Sequence, residues 1–545
     1  MALLVYGWLC TTTVQTVGLV GEVAIGWALP SPPVVLTELS PPAVTAAPPW
    51  GPFTALQTRP TERLDLGGVS LPLAINAYTG GLADWPARAA RWLVSPGGVT
   101  PRGLAAGQLI HLALGALLLT LAHRFLRFHG TPAAADAVAL LLATDWAFVF
   151  YRKVLGGTEI LLQAAGLLVL WALWSRRWKG GVHGTVAIAA GVGLGLCAKA
   201  TFVATLAAFG VTALLMRWDR DGKRPPAAVH IGLLIGLPLL GLAPGLLAAL
   251  HHAPFLDAAG PDTVLSHDTI ALQLARFSAA SPAREGWVNL ACFLGNPLAW
   301  FGPALGAPPE SPLSPLRLLG ATVTLLGSGL EWRARTASPS AALLRFLSIA
   351  VPLQVGLLFL ANHDLHHLAQ ATPPLALWIA LAADRVAGSL APPRSVARQA
   401  LVLLFLTPHL LAGVWTLRRT DAVIATLPTS TFTEAGQVEL VEMLRAAHVD
   451  QLVTSDYEIY GMIEARAPEI ATTHTWAAER DPAAVLRLAQ GGWYLSLRPT
   501  APLVYNWHPN AGTVAKVAAE AGVRATPVAH LDDTRGTWAA LYRIE

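Results

Sequence analysis

The strongest constraint on this chain is a recurring length. Apolar runs close to the roughly twenty residues that cross a bilayer as a helix fall near 2–21, 103–122, 133–150, 158–175, 183–198, 201–216, 227–249, 315–332, 343–361, 368–387 and 399–417. Hydrocarbon offers no hydrogen bonds to a backbone, so a run of this length must satisfy its own amides, and an α-helix does so locally. Composition agrees: 54% of the 545 residues are hydrophobic and 13% are charged, with a mean hydropathy of +0.51. The expected class is an α-helical polytopic membrane protein with about eleven transmembrane helices. A net charge of +4, with the basic residues lying between apolar runs, fits loop topology and excludes a nucleic-acid surface. Cys10, Cys197 and Cys292 sit in apolar surroundings without metal-ligand spacing and read as packing residues.

Charge also orients the chain. Runs 183–198 and 201–216 are separated by Lys199 and Ala200 alone, so they are either two short helices or one long tilted one. Two helices place Arg124 and Arg127, then Arg176, Arg177 and Lys179, then Arg217, Arg220, Lys223 and Arg224, then Arg333, Arg335 and Arg345, then Arg385, Arg394 and Arg398 on one side, which is then cytoplasmic. One helix would split them, so two are expected. The first run opens at Ala2 with no basic residue before it and reads as a membrane helix rather than a cleavable signal. The expected setting is a bacterial inner membrane crossed many times, N-terminus in and C-terminal domain out.

The outer face then receives the first loop (22–102), the turn at 151–157, the loop at 250–314, the short stretch 363–366 and everything beyond about 419. The first loop begins proline-rich (PSPPVV, SPPAV, APPWGP), favouring extended backbone. Its WPARAARWL reads as an amphipathic helix on the membrane surface, and GWVNLACFLGNPLAWFG (286–302) as a second interfacial piece. Past Arg418 and Arg419 the pattern becomes soluble: a helix at 434–447, the strand DQLVTS, another helix, the strand GWYLSLR, a helix at 511–521 and strands near 525–530 and 537–544. Alternating helix and strand predicts a small C-terminal α/β domain at 419–545 beside a membrane domain at 1–418.

Ionisable groups at the edge of a membrane run are expensive unless they meet headgroups, water or a partner. TDWAFVFYRKVLGGTEILLQ (144–163) delivers Arg152 and Lys153 to the outer interface, with Glu159 one helical turn later. Arg and Lys can hold a lipid phosphate, Arg through its two-pronged fork; the plainer alternative is that both anchor the helix among headgroups while Glu159 favours a helix N-terminus. Carboxylates in the first loop, Glu22, Glu38, Glu62, Asp65 and Asp84, are general-base candidates or solvated surface groups. His363, Asp364, His366 and His367 lie at the mouth of the tenth run. His363 and His367 are spaced to share a metal with Asp364, against phosphate or sugar hydrogen bonding or simple interfacial residence. Lys199, set among apolar residues, needs a carboxylate, a phosphate or the interface.

Taken in order, several stretches resemble the GT-C polyprenyl-phosphate-dependent glycosyltransferases, the group of protein O-mannosyltransferases and aminoarabinose transferases. GGVSLPLAINAYTGGLADW (67–85) is similar to the family's G-x-x-x-P-L-x-x-x-x-Y-x-G-x-L pattern, and TPRGLAAGQLIHLALG (100–115) to its arginine-led second helix. FVFYRKVLGGTEILLQ resembles its second outer loop, GLGLCAKATFVATLAA (193–208) its glycine-rich helix ending in Lys, and HHLAQATPPLALWIALA (366–382) its proline-bearing late helix. The resemblance implies a GT-C-like membrane fold with a soluble outer domain. It implies transfer with inversion from a polyprenyl-phosphate sugar to a glycan, lipid or protein acceptor of the envelope. Arg152, Lys153, Lys199, His366 and His367 would then hold the donor phosphate, and Glu38, Asp65 or Glu22, in that order, would be the base, with Glu159 and Tyr78 in support. No cofactor is expected, a divalent metal staying open as an alternative. The family's first loop opens on an acidic pair, whereas here Glu22 and Glu38 stand singly. The second implication is therefore a catalytically inactive scaffold or assembly subunit.

Overall fold

The computed structural model describes residues 1–11, 62–66, 69–74, 82–96, 99–153, 157–179, 182–199, 201–216, 290–299, 310–334, 336, 338–393 apart from 362–367, 395–425, 433–454, 457–474, 482–497, 511–533 and 536–545. The chain divides into two compact units. One comprises Met1–Thr12, Leu109–Leu247 and Ala275–Ala422; the other comprises Thr13–Gln108, Ala248–Leu274 and Val423–Glu545. The C-terminal region thus groups with the first loop, and the boundary falls after Ala422.

The elements in chain order are α1 (Ala2–Thr11), β1 (Glu62–Leu66), β2 (Val69–Ala74), α2 (Trp85–Val94), α3 (Pro101–His129), α4 (Pro132–Thr144), α5 (Trp146–Lys153), α6 (Gly157–Lys179), α7 (Val182–Ala198), α8 (Phe202–Leu215), α9 (Pro315–Ala334), α10 (Pro339–Ala361), α11 (Thr372–Leu390) and α12 (Val396–Ala425). They continue as α13 (Glu434–Ala446), β3 (Gln451–Thr454), α14 (Tyr457–Arg466), β4 (Ala471–His474), α15 (Pro482–Leu488), β5 (Trp493–Leu497), α16 (Ala511–Ala521), β6 (Ala525–Asp533) and β7 (Gly536–Ile544).

In the first unit the helices follow the apolar runs. Among the described residues four are long and apolar enough to cross a membrane: α3, Gly157–Ser175 of α6, Pro339–Phe359 of α10 and Val396–Val423 of α12. A fifth arises if α4 and α5, bent by 49°, count as one broken span. The run 227–249 lies outside the described residues, so the expected eleven are not all in view. The single helix expected at 133–150 is interrupted at Asp145, whose extended backbone ends α4 and whose Oδ1 accepts the Phe148 amide at 2.9 Å, starting α5. Runs 183–198 and 201–216 do form two helices, α7 and α8.

This unit is built for lipid rather than water. Phe125, Phe148, Trp174, Phe202 and Phe209 are buried, while Leu109, Leu117, Leu214, Leu325 and Leu404 are exposed, an outward apolar surface that a bilayer accepts. Because lipid tails match the apolarity of the side chains, helices associate by close packing at small residues. A Cβ added to Gly327 on α9 would lie 2.3 Å from the Ala382 carbonyl oxygen of α11, and one on Gly413 of α12 would lie 2.2 Å from the Thr144 carbonyl of α4. Two ionic clasps close one end, where α9 and α11 finish and α4, α10 and α12 begin. Buried Glu331 accepts from Arg345 at 2.6 Å, from Arg385 at 3.0 Å and from both the amide and hydroxyl of Thr336 at 3.0 Å. Asp384 takes a two-pronged bond from Arg398 at 2.8 Å and one from the Thr131 hydroxyl at 2.9 Å. Thr131 also caps α4, accepting the Ala134 amide at 3.1 Å.

In the second unit, β1 and β2 form an antiparallel hairpin with Leu66 opposite Val69, a feature the sequence reading did not anticipate although Gly67-Gly68 is a hairpin-turn signature. The amphipathic helix expected at WPARAARWL forms as α2. Arg88 and Arg91 are buried, whereas Leu93 is 75% and Val94 52% exposed. The C-terminal sheet has the order β4-β3-β5-β7-β6. β3 runs parallel to β4 and β5, and β7 antiparallel to β5 and β6. Tyr494, Val514, Val517, Leu486 and Ile544 fill its core. The Thr433 hydroxyl caps α13 by accepting the Gly436 amide at 3.1 Å, and Arg466 donates to Glu434 and Gln437. The expected strands and helices are present; β4 and α15 are additional.

Candidate functional site

Residues 144–153 and 157–163 lie mostly buried in the first unit. Every residue of α5 is buried. Arg152 is 0% exposed, with its guanidinium 3.6 Å above the Phe148 ring centroid, a stacking that suits a delocalised cation. Its Nη1 donates to the Phe148 carbonyl and its Nη2 to Gln163 Oε1 at 2.8 Å. Gln163, itself fully buried, turns its amide to donate to the Ala369 carbonyl at 2.9 Å. Arg152 Nε makes no hydrogen bond among the described residues. It faces α3 at Gly115, where a Cβ would lie 2.8 Å from Nε and 1.9 Å from the Tyr6 hydroxyl. Tyr6 donates that hydroxyl to the Leu112 carbonyl at 3.1 Å. A glycine at 115 thus lets α1, α3 and α5 converge on one cation.

Lys153, next in sequence, faces a different partner. Its Nζ donates to Asp421 Oδ1 on α12 at 2.7 Å. Trp146 Nε1 donates to Thr420 at 2.9 Å, and Arg418 lies 4.1 Å over the ring of Trp8, so the last turns of α12 are fastened to α1 and α5. Glu159 is buried in the first turn of α6. Lys199 is buried just past α7; its amide donates to the Gly195 carbonyl at 3.0 Å and its carbonyl accepts from the Phe202 amide at 3.1 Å. Gly195 is where the Phe202 ring packs, 2.1 Å from an added Cβ.

The segment before the prolines links these groups. Ala369 receives Gln163, and the neighbouring Gln370 accepts from Thr205 at 3.1 Å and reaches Thr201 at 3.5 Å. Gln354 of α10 donates to Thr205 at 2.8 Å. Asp65 lies on β1 opposite Ser70 in the second unit. Glu22, Glu38, Tyr78, His366 and His367 fall outside the described residues, as do His363 and Asp364. Among the described residues no group of His, Cys, Asp and Glu is arranged to hold a metal. The structure therefore brings Arg152, Gln163 and the 369–370 pair together and gives Lys153 to Asp421. Sequence reasoning missed Gln163, Gln354, Gln370, Tyr6 and Asp421. The glutamines carried a usable signal, because an amide inside an apolar run is satisfied only by another polar group.

No protein-family profile matches this sequence, and no curated protein matches it. Among solved structures, ArnT from Cupriavidus metallidurans, crystallised bound to undecaprenyl phosphate, aligns with a TM-score of 0.54 at 11% identity, covering 99% of this chain and 96% of ArnT. Apo ArnT gives 0.49 at 12% identity over 85% and 87% of the two chains. The Archaeoglobus fulgidus oligosaccharyltransferase AglB, in complex with an inhibitory peptide and a dolichol-phosphate, gives 0.42 at 14% identity over 82% and 62%. The last two scores add nothing to the assignment. At 11% identity the likeness to undecaprenyl-phosphate-bound ArnT is one of architecture, and on it this chain has the GT-C fold.

Proposed function

We propose that the chain is an integral-membrane glycosyltransferase that moves a sugar from a polyprenyl-phosphate donor to a glycan, lipid or protein acceptor of the cell envelope. In this reading it crosses a bacterial inner membrane about eleven times, N-terminus inside, and works on the outer face. The observation that carries the reading is Arg152: a rigidly held, fully buried guanidinium with Nε unengaged among the described residues, in a fold shared with an undecaprenyl-phosphate-bound structure.

A carboxylate of the first loop takes the acceptor hydroxyl proton, with Glu38 first, Asp65 second and Glu22 third. The acceptor oxygen forms its bond to the anomeric carbon from the face opposite the lipid phosphate, the bond from that carbon to the phosphate oxygen breaks, and configuration inverts. The departing phosphate is stabilised by Arg152, with Lys153, Lys199, His366 and His367 as the further cations and Glu159 and Tyr78 as supports. One positioned charge of this kind supplies on the order of 100-fold in rate.

The test is transfer and donor binding by purified protein in liposomes with defined polyprenyl-phosphate sugars, the donor chosen by mass spectrometry of envelope glycans and co-purified lipids with and without the gene. Glu38→Gln is expected to insert and bind donor yet abolish transfer. Arg152→Lys keeps the charge and removes the fork, and is expected to weaken donor binding at least about tenfold. Unchanged donor affinity in that variant refutes the phosphate role.

A further inference from the structure

A second polar centre lies in the first unit where α4 breaks into α5. Asp145 Oδ2 and Arg317 Nη2 of α9 stand 3.9 Å apart, too far for a hydrogen bond, while Asp145 Oδ1 is engaged by the Phe148 amide. Beside this gap is a cavity of about 20 Å³ whose lining includes Thr144, Asp145, Arg317, Ala376 and His409. His409, on α12, is 6% exposed, and neither ring nitrogen has a hydrogen-bond partner among the described residues. Nε2 rests on Gly320 so closely that a Cβ there would lie 2.2 Å away. That backbone can serve one nitrogen at most, so Nδ1 needs another partner. The Thr144 hydroxyl, which donates to the Leu140 carbonyl at 2.9 Å, makes no bond to it among the described residues.

Asp145 and His409 each stand thirteen residues beyond the first residue of their helices, Pro132 and Val396. At 1.5 Å per residue this is about 20 Å along the axis, inside a hydrocarbon core about 30 Å thick. A charged pair at such depth is tolerated when its hydrogen bonding is completed. A polar gap wider than 3.5 Å, flanked by an unsatisfied imidazole, is the geometry that a bridging water fills.

We infer that this cavity is a binding site for one ordered water, which accepts from Arg317 Nη2, donates to Asp145 Oδ2 and completes the hydrogen bonding of His409. The cavity has room for that guest, with about 20 Å³ open to water. The water fastens the α4–α5 break to α9 and α12, and so fixes the short helix that carries Arg152 and Lys153. The inference stands whether or not the chain transfers sugar.

It is tested on the full-length protein in lipid nanodiscs, by a structure at a resolution that shows waters and by thermal unfolding of Ala376→Val. Expected is a density peak within about 3.2 Å of an Asp145 oxygen, Arg317 and a His409 nitrogen. Ala376, which is buried, lines the cavity, and a bulkier side chain there expels the water and leaves the ion pair open, so the unfolding temperature falls by about 2 °C or more. An empty cavity, or His409 bonded directly to Asp145 or Arg317, overturns the proposal. So does an unchanged or raised unfolding temperature, the response of a dry void being filled. If the valine variant does not fold, the wild-type density decides alone.

Discussion

The pair Lys153–Asp421 separates a structural clasp from a ligand-binding cation. Its side chains are 2% and 12% exposed and 2.7 Å apart. At an effective dielectric of about 20 their attraction is about 6 kcal/mol, and desolvation of two ions cancels most of it. The asymmetry follows: replacing both by apolar residues is close to neutral, whereas removing one leaves a buried charge and costs about 3 kcal/mol or more. Lys153→Met and Asp421→Leu are each expected to lower the unfolding temperature of the detergent-purified protein, and the double variant to recover to within about 1 kcal/mol of wild type. Intrinsic fluorescence is a suitable probe, since Trp146 and Trp8 contact Thr420 and Arg418 next to the pair. A double variant as unstable as the two singles added together refutes the reasoning. The rescued double variant also tests the ligand role without the confusion of unfolding. If its affinity for polyprenyl phosphate equals that of wild type, Lys153 leaves the phosphate site.

Three further outcomes are expected. Gly327→Ala and Gly413→Ala, whose Cβ atoms meet backbone carbonyls at 2.3 and 2.2 Å, are expected to destabilise the helix packing by about 1–3 kcal/mol, while Gly329→Ala, with nothing within 4 Å, leaves thermal stability unchanged or raised. Thr131→Ala removes both the α4 cap and a bond to Asp384 and is expected to cost about 1–2 kcal/mol, while Thr131→Ser retains most of it in the same unfolding assay. In the C-terminal region the Arg445 side chain, bonded at 2.7 Å, holds the Glu469 carboxyl below the usual carboxylate range. A lowered folded-state pKa stabilises above the unfolded value and is lost as pH falls through the folded one. Glu469→Gln should therefore speed amide exchange at Ile470 and Ala471 near neutral pH, by a small margin because the pair is half exposed, and the difference from wild type should shrink as the pH falls through the lowered pKa of Glu469.

The membrane helices were legible because hydrocarbon leaves one local solution for a twenty-residue apolar run, and α3, α6, α10 and α12 fall where the pattern puts them. The separation of α7 from α8 was legible from the side on which basic residues gather. The break at Asp145 was not: an aspartate between Thr144 and Trp146 reads as a tolerated polar residue until its carboxylate is seen capping a new helix. For the site, Arg152, Lys153, Glu159 and Lys199 were visible as charges out of place. Their partners were not, because Gln163 lies eleven residues from Arg152 and Asp421 lies 268 from Lys153, and single-sequence patterns carry no information about which distant polar groups pair. The inward-turned face of α2, with Arg88 and Arg91, was hidden for a related reason. Periodicity shows that a helix has two faces; only the surroundings decide which one turns inward.

The clasps at Glu331 and Asp384 give Arg345, Arg385 and Arg398 two successive employments. In the proposed orientation each counts, while the chain is being threaded, only as a positive charge that resists translocation, and a lysine would serve equally well. Once the helices meet, the same residues become geometry-specific latches: Arg398 grips Asp384 with a fork that a lysine cannot copy, and Arg345 and Arg385 share Glu331. In that orientation, getting the helices across the membrane the right way round and locking them against one another are separable achievements, and a change of Arg398 to lysine would leave the first intact while weakening the second.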